Sequence, residues 1–284
     1  MQTTLLNTAL AHHEPDEILP PLPSRSARAM SDLLLGLRKS WLWTEMAMQD
    51  IRLRYRGSVL GPFWLTLSTG ILVGSMGVIY SQLFHTDIVK YLPYLAIGLV
   101  VWQFISSLIT EGCQTFIAVQ NVILQAPMPF SVHVFRVVYR NFIVLGHNFV
   151  IVVAVLLIFG VHIDWDLLLI PPAFLLLAIN GVFICIFFGM VSARFRDVPP
   201  IVASFVQVLF FVTPIFWPVE ALGRYKDIAE YSPMFAAIDV IRAPLLGVPF
   251  APHSWLLLIA TTLIISALTF AFFARLRSRI AYWI

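Results

Sequence analysis

Six long stretches carry no charge or a single one, and short polar segments separate them. They cover residues 59–84, 91–119, 141–161, 167–193, 198–219 and about 254–274, and the one charge inside them is Glu111. Each is long enough for the ~20 residues that carry a helix across a ~30 Å hydrocarbon core. None alternates apolar with polar residues, so transmembrane β-strands are excluded. In lipid the backbone must satisfy its own hydrogen bonds, which leaves helices. The expected fold class is an all-α integral membrane protein with six transmembrane helices.

The connections carry further elements. Residues 1–24 hold Pro15, Pro20, Pro21 and Pro23 among scattered acids, and residues 1–30 read as a disordered cytoplasmic tail. Ser31-Asp32 suits the cap of an amphipathic helix over 31–56, with Leu34, Leu37, Trp41 and Met48 on its apolar side. Trp41, Trp43 and the cluster Arg52, Arg54 and Arg56 suit a helix lying on the inner leaflet, although an amphipathic helix packed on protein has the same pattern. Gly57, Gly61 and Pro62 then turn this surface helix into the first span.

Two connections exceed a simple turn. Between the second and third spans, about 120–133, Pro127 and Pro129 break the helix while Asn121, Val122, Ile123, Leu124, Gln125 and Met128 are left near the surface. That exposure suits docking of a soluble partner, the alternative being a loop that covers its own spans. Before the sixth span, about 219–250, two helices too short to cross are expected. Ser232-Pro233 is an N-cap followed by proline at the first helical position, and Met234, Ile238, Ile241 and Leu245 form a stripe beside Asp239 and Arg242. A re-entrant hairpin fits better than helices resting on the surface.

Composition agrees with a membrane protein: 60% of the 284 residues are hydrophobic and only 12% are charged. Too little polar surface remains to cover a water-soluble globule. The net charge of +3 matters less than its placement. With the N-terminus inside, only Lys90, Arg224, Lys226 and Arg242 of the 18 Lys and Arg fall in outer segments. This bias places both termini in the cytoplasm. Nothing in the chain points to nucleic acid.

Candidate chemistry is sparse. There is no GxxxxGK[ST] loop for nucleotide phosphates, no GxSxG, and no Cys/His group with metal-ligand spacing. Catalytic residues and metal ligands are therefore not expected. Cys113 and Cys185 sit in apolar runs as small buried side chains. The intramembrane ionisable groups are Glu111, Arg140 and His147, and a structural Glu111–Arg140 pair is the favoured reading. Arg194 or Arg196 pairing with Asp197 would fix the turn after the fourth span, with headgroup or pyrophosphate contact as the alternative. Aromatic residues make up 14% of the chain. Most must face lipid or core, yet Trp102, Phe104, Phe116, Phe205, Phe210, Phe211, Phe216 and Trp217 could line a passage for a sliding polymer. Pro214 and Pro218 would bend or end the fifth span.

Residues 49–64 read QDIRLRYRGSVLGPFW. This resembles the RDIKxRYxxSxLGxxW opening of the membrane domain in type-2 ABC exporter permeases for surface polysaccharides. Arg196-Asp197, Thr213-Pro214-Ile215, Ser232-Pro233 and the end Arg277-Ser278-Arg279-Ile280-Ala281-Tyr282-Trp283-Ile284 continue the resemblance in the right order. Gln49 and Ser232 depart from it, where the family often has Arg and Asn. The resemblance implies an ABC type-2 transmembrane domain over 57–276 and a cytoplasmic tail over 277–284. It implies a homodimer with a channel between subunits, and two copies of a cytoplasmic ABC ATPase that use ATP and Mg while this chain binds no cofactor. The coupling helix would map to Asn121, Val122, Ile123, Leu124, Gln125, Pro127, Met128 and Pro129. The periplasmic gate would map to Tyr231, Pro233, Phe235, Ile238 and Arg242. The implied substrate is a glycan on undecaprenyl pyrophosphate, moved out across a bacterial inner membrane. Export of teichoic acid, capsule or a small molecule is the alternative within the class. An ATP-independent flippase or a lipid-phosphate enzyme is the alternative outside it.

Overall fold

A computed structural model describes residues 24–57, 61, 63–161, 165–249 and 251–284. Residues 1–23 of the tail expected over 1–30, and part of the bend before the first span (Ser58, Val59, Leu60 and Pro62), lie outside the described residues, while residues 25–30 of that tail are helical. Among the described residues the chain is helical, without strands. Two helices, α1 (Arg25–Arg38) and α2 (Ser40–Arg54), precede the apolar region. It is built from α3 (Phe63–Leu83), α4 (Ile88–Gln114), α5 (Gln120–Gln125), α6 (Phe130–Ile158), α7 (Ile170–Arg194) and α8 (Val198–Val212). Short α9 (Lys226–Glu230), α10 (Pro233–Leu246), α11 (Pro252–Leu276) and α12 (Ile280–Trp283) complete it.

Among the described residues, five helices are long and apolar enough to cross a membrane: α3, α4, α6, α7 and α11, the last two with short flanking turns. The fifth apolar run differs from expectation. Its helix, α8, has 15 residues, about 22 Å at 1.5 Å per residue, short of the hydrocarbon core. Proline limits it at both ends. Pro199 and Pro200 occupy its first turn, and Pro214 follows Thr213, whose extended backbone ends the helix.

The bundle is organised around α4, which is mostly buried and whose polar residues Gln103, Ser106, Ser107, Thr110, Glu111 and Gln114 share one face of its second half. It packs against α3, α6, α7, α8 and α10. Small residues allow the closest approaches. A Cβ on Gly112 would stand 3.2 Å from the Cys185 backbone, and one on Gly181 would stand 3.0 Å from Leu108. Both cysteines are free and buried, as their apolar surroundings imply.

The surface helix also departs from the expected 31–56. It starts at Arg25, where Ser24 accepts a hydrogen bond from the Ala27 N–H at 3.2 Å, and it breaks at Lys39 before α2 begins. Asp32 lies inside α1 and is buried, so it caps a different helix. Its carboxylate accepts from the N–H groups of Phe130 (3.2 Å) and Ser131 (3.0 Å) at the start of α6, and from Arg277 Nε at 2.7 Å. The free N–H groups and positive dipole end of α6 are thus met by a carboxylate about 100 residues earlier. Ser131 Oγ returns a bond to the Asp32 carbonyl at 2.7 Å, and Gly36 gives Ser131 room.

Candidate functional site

The expected Glu111–Arg140 pair is present, as part of a larger group. Arg140 donates from Nη2 to Glu111 Oε2 at 2.7 Å and from Nη1 to Asp50 Oδ2. Arg136 grips the same Asp50 carboxylate with both arms of its fork, Nε reaching Oδ2 at 2.7 Å. Arg54 Nη2 reaches Glu111 Oε1 at 3.1 Å, and Asn141 Nδ2 reaches Oε2 at 2.8 Å. Three arginines and two carboxylates therefore tie the surface helix α2 to α4 and α6 in one charge knot. The sequence pattern marks Asp50 only as a polar residue beside arginines. Its partners lie 86 and 90 residues away, beyond any local periodicity. A cavity of about 470 Å³ opens on the knot, and the buried His133 reaches it too.

Burial alone would raise the Asp50 carboxyl, but hydrogen bonds and charge from Arg136 and Arg140 outweigh it and hold the group below its ordinary value. A carboxyl depressed in the folded state stabilises fully above its unfolded pKa, about 3.9, and loses that contribution as pH falls through the folded value. Thermal stability in detergent should therefore be insensitive to this group from pH 7 to about 4 and fall below that. Asp50→Asn should remove that acid-side drop; an unchanged profile would separate Asp50 from it.

The expected docking segment follows a 3-10 turn over Ile117–Val119 and begins with α5. Asn121, Val122, Leu124, Gln125 and Pro127 are exposed, Leu124 at 60%, while Ile123, Met128 and Pro129 are half-buried. Helix α5 rests on α12, so the C-terminal end of the chain backs it. The segment ends earlier than expected: Pro129 caps α6, and His133 belongs to that helix.

The other expected headgroup arginines separate. Arg52 and Arg56 are exposed, Arg52 standing 3.9 Å from Glu45. Among the described residues no ion pair joins Asp197 to Arg194 or Arg196, contrary to expectation. Arg194 instead lies over the rings of Phe195 and Trp283, at 5.2 and 5.4 Å. Arg196 is exposed.

The aromatic residues divide. Trp102, Phe104 and Phe116 are buried inside the subunit, against Phe210, Phe142 and Phe130 respectively. In this conformation Trp102 and Phe116 form core, a correction that follows from the central position of α4, whereas Phe104, though buried, reaches the wall of a crevice between α3, α4 and α6. Phe205 and Phe211 on α8 are exposed, and Phe210, Phe216 and Trp217 are half-buried at and just beyond its C-terminal end. A polar crevice of about 270 Å³ lies between α3, α4 and α6, with Ser68, Thr69, Gln103, Ser106, Asn141 and Asn148 among its walls. Asn148 Nδ2 donates to Gln103 Oε1 at 3.1 Å there. His147 has a plain structural role, its Nδ1 lying 2.8 Å from the Ile143 carbonyl of its own helix.

At the opposite end, the expected gate helix α10 is buried among α4, α7 and α11, with Phe235 and Ile238 inside while Tyr231 and Pro233 stay exposed. Arg242 is 3% exposed. It donates to the carbonyls of Pro214 (3.0 Å) and Ile215 (3.1 Å), and its guanidinium lies 3.8 Å over the Tyr94 ring. The single Tyr94 hydroxyl proton is shared between the carbonyls of Pro214 (3.2 Å) and Trp217 (3.1 Å), and Tyr91 Oη donates to the Phe216 carbonyl. The non-helical stretch after α8 thus has its carbonyls satisfied by one arginine and two tyrosines. Irregular backbone at membrane depth requires such partners. The stripe beside Arg242 was legible in sequence; the two tyrosines were not, because they precede their acceptors by more than 100 residues.

The chain has relatives. The sequence profile described as "ABC-2 type transporter" matches residues 42–246, which span α2 to α10. The chain is 25% identical over 199 residues to a protein of Klebsiella pneumoniae named "O-antigen export system permease protein RfbA", covering 67% of this chain and 74% of that one. It is 22% identical over 185 residues to a Myxococcus xanthus protein of the same name, covering 64% and 70%.

Proposed function

The chain belongs to the ABC-2 type transporter family, and we propose that it is the membrane-spanning half of an exporter that moves an undecaprenyl-pyrophosphate-linked polysaccharide from cytoplasm to periplasm. The matched family is a membrane domain, so the nucleotide chemistry belongs to a separate ABC ATPase with which such a permease works. The observation that carries the choice of substrate is the agreement of the O-antigen export relatives across at least 64% of this chain.

In this reading α8 and the stretch after it complete a sixth crossing, and both termini lie in the cytoplasm of a bacterial inner membrane. Two copies of the chain face each other, and two ATPase copies hold ATP and Mg. The exposed apolar sides of α3 and α8, including Ile71, Val78, Phe205 and Phe211, suit the partner copy and a glycan path between them. ATP-driven closure of the ATPase pair pushes α5. The push passes through α12 and the end of α4 to the charge knot, and α2 with α3 moves in response. At the far end α10 holds or releases the stretch after α8.

Cells lacking the chain should accumulate undecaprenyl-linked glycan on the inner side of the membrane and lack the surface polymer. Normal surface polymer would overturn the substrate assignment. A second outcome concerns docking. Leu124→Glu places a charge on an exposed apolar residue of α5 and should abolish co-purification of the ATPase while membrane insertion stays normal. Undiminished pull-down would sink the docking role.

A further inference from the structure

Five arginines that the transport mechanism does not use meet at one place. Arg25 and Arg28 from the first turn of α1, and Arg275, Arg277 and Arg279 from the end of α11 and the turn after it, line a cleft of about 400 Å³ with Ser278. Neither terminal stretch shows this alone, because the two lie some 250 residues apart and meet through packing of α1 on α11 and the Arg277–Asp32 pair.

The cleft is short of negative charge. The first turn of α1 contains no acid, so two cations sit at a helix end that is already positive. Arg277 pairs with Asp32, but that carboxylate is buried and also holds the start of α6. Among the described residues, Arg25, Arg28, Arg275 and Arg279 have no ion pair. Like charges lining one cleft repel one another, and an anion seated among them relieves that repulsion. Arginines lining one cavity suit the several acceptor oxygens of a phosphate group.

We propose that this cleft binds a phosphate-bearing anion, either the headgroup of an anionic phospholipid or a free phosphate. Its position at the cytoplasmic surface rests on the orientation given under Proposed function; its binding chemistry does not. An occupant would join α1 to α11 and thereby hold the surface helix on the last span. Positive segments beside inner-leaflet spans favour anionic lipid.

The test uses the full chain purified in detergent and in nanodiscs. One arm titrates inorganic phosphate against thermal stability in lipid-free detergent. The other measures retention of phosphatidylglycerol against phosphatidylcholine by native mass spectrometry. The triple variant Arg25→Gln/Arg28→Gln/Arg279→Gln alters exposed side chains and should fold. It should bind at least tenfold more weakly, as expected from losing three charged donors. The variant Arg224→Gln/Lys226→Gln lowers charge elsewhere and should bind as the unaltered chain does. Triple-sensitive retention of phosphatidylglycerol identifies a lipid headgroup, and a triple-sensitive response to phosphate alone identifies a free anion. Equal binding by the triple variant, equal loss in the charge control, or tenfold tighter binding after removal of residues 2–23 would overturn the proposal, the last because Glu14, Asp16 and Glu17 would then be the occupant. Orientation plays no part in the detergent arm, so it stands or falls independently of the export reading.

Discussion

Replacing Arg140 by methionine should stop export and destabilise the chain by about 3 kcal/mol, the low end for removing one partner of a buried charge pair. The methionine keeps much of the volume but leaves Asp50 and Glu111 facing each other across a space that Arg140 bridged. Arg136 still holds Asp50, so the surface helix stays folded and attached. The link between Asp50 and Glu111 is what disappears. Because α5 sits just after α4 and α2 just before α3, this link joins the proposed ATPase contact to the first span. The double variant Glu111→Gln/Arg140→Gln is the discriminating control. It removes opposite charges together, so stability should recover in part while export stays low. Full export by that variant would show the knot to be a stabilising contact without a role in transmission. Thermal melting and surface-polymer assays read the two effects separately.

The second large effect is expected at Arg242. Arg242→Met deprives the Pro214 and Ile215 carbonyls of their charged donor inside the protein. Each such bond contributes about 1.5–3 kcal/mol, and an orphaned buried acceptor adds to the loss. A loss of about 3–5 kcal/mol is expected from the two bonds together. Arg242→Lys should not restore stability, since a single ammonium cannot reproduce a planar fork on two adjacent carbonyls with an aromatic ring on its face. Tyr94→Phe should be milder, about 1–2 kcal/mol, because Arg242 still serves Pro214. Gly98→Ala attacks the same place from α4. Its Cβ would stand 2.1 Å from Arg242 Nη2 and 2.7 Å from the Ile215 carbonyl, so the strap must shift. If the strap holds the outer end closed, Arg242→Met and Gly98→Ala should both leak small ions in vesicles without ATP. Tight vesicles from both variants would confine the strap to a stabilising role.

These sites mark where sequence reading succeeds and where it stops. Long uncharged runs identify the crossing helices because lipid leaves the backbone no alternative. The short helices α5 and α10 were visible for a different reason: proline and a change of periodicity end one element and start another. Asp32 was misassigned because a Ser-Asp pair ahead of an amphipathic run looks like a local cap, and nothing local reveals that it turns inward to cap α6. Trp102 and Phe116 were misplaced although the same run carries a polar stripe at helical spacing, Gln103, Ser106, Ser107, Thr110, Glu111 and Gln114, which marks the side of α4 that faces a crevice and leaves both aromatics off it. The packing of five neighbours on α4 then makes that other side core. The charge knot was half legible. Glu111 and Arg140 stood out as rare intramembrane charges, whereas Asp50, in a polar helix, did not.

The export claim is tested most directly by reconstituting this chain with its ABC ATPase in proteoliposomes carrying a defined undecaprenyl-pyrophosphate glycan on the outer, ATPase-exposed leaflet. Protection of the glycan from an added glycosidase should rise with time, require ATP and Mg, and be absent when Arg140→Met replaces the unaltered chain. Movement without ATP, or failure to move the glycan while the complex hydrolyses ATP and carries another substrate, would contradict the account.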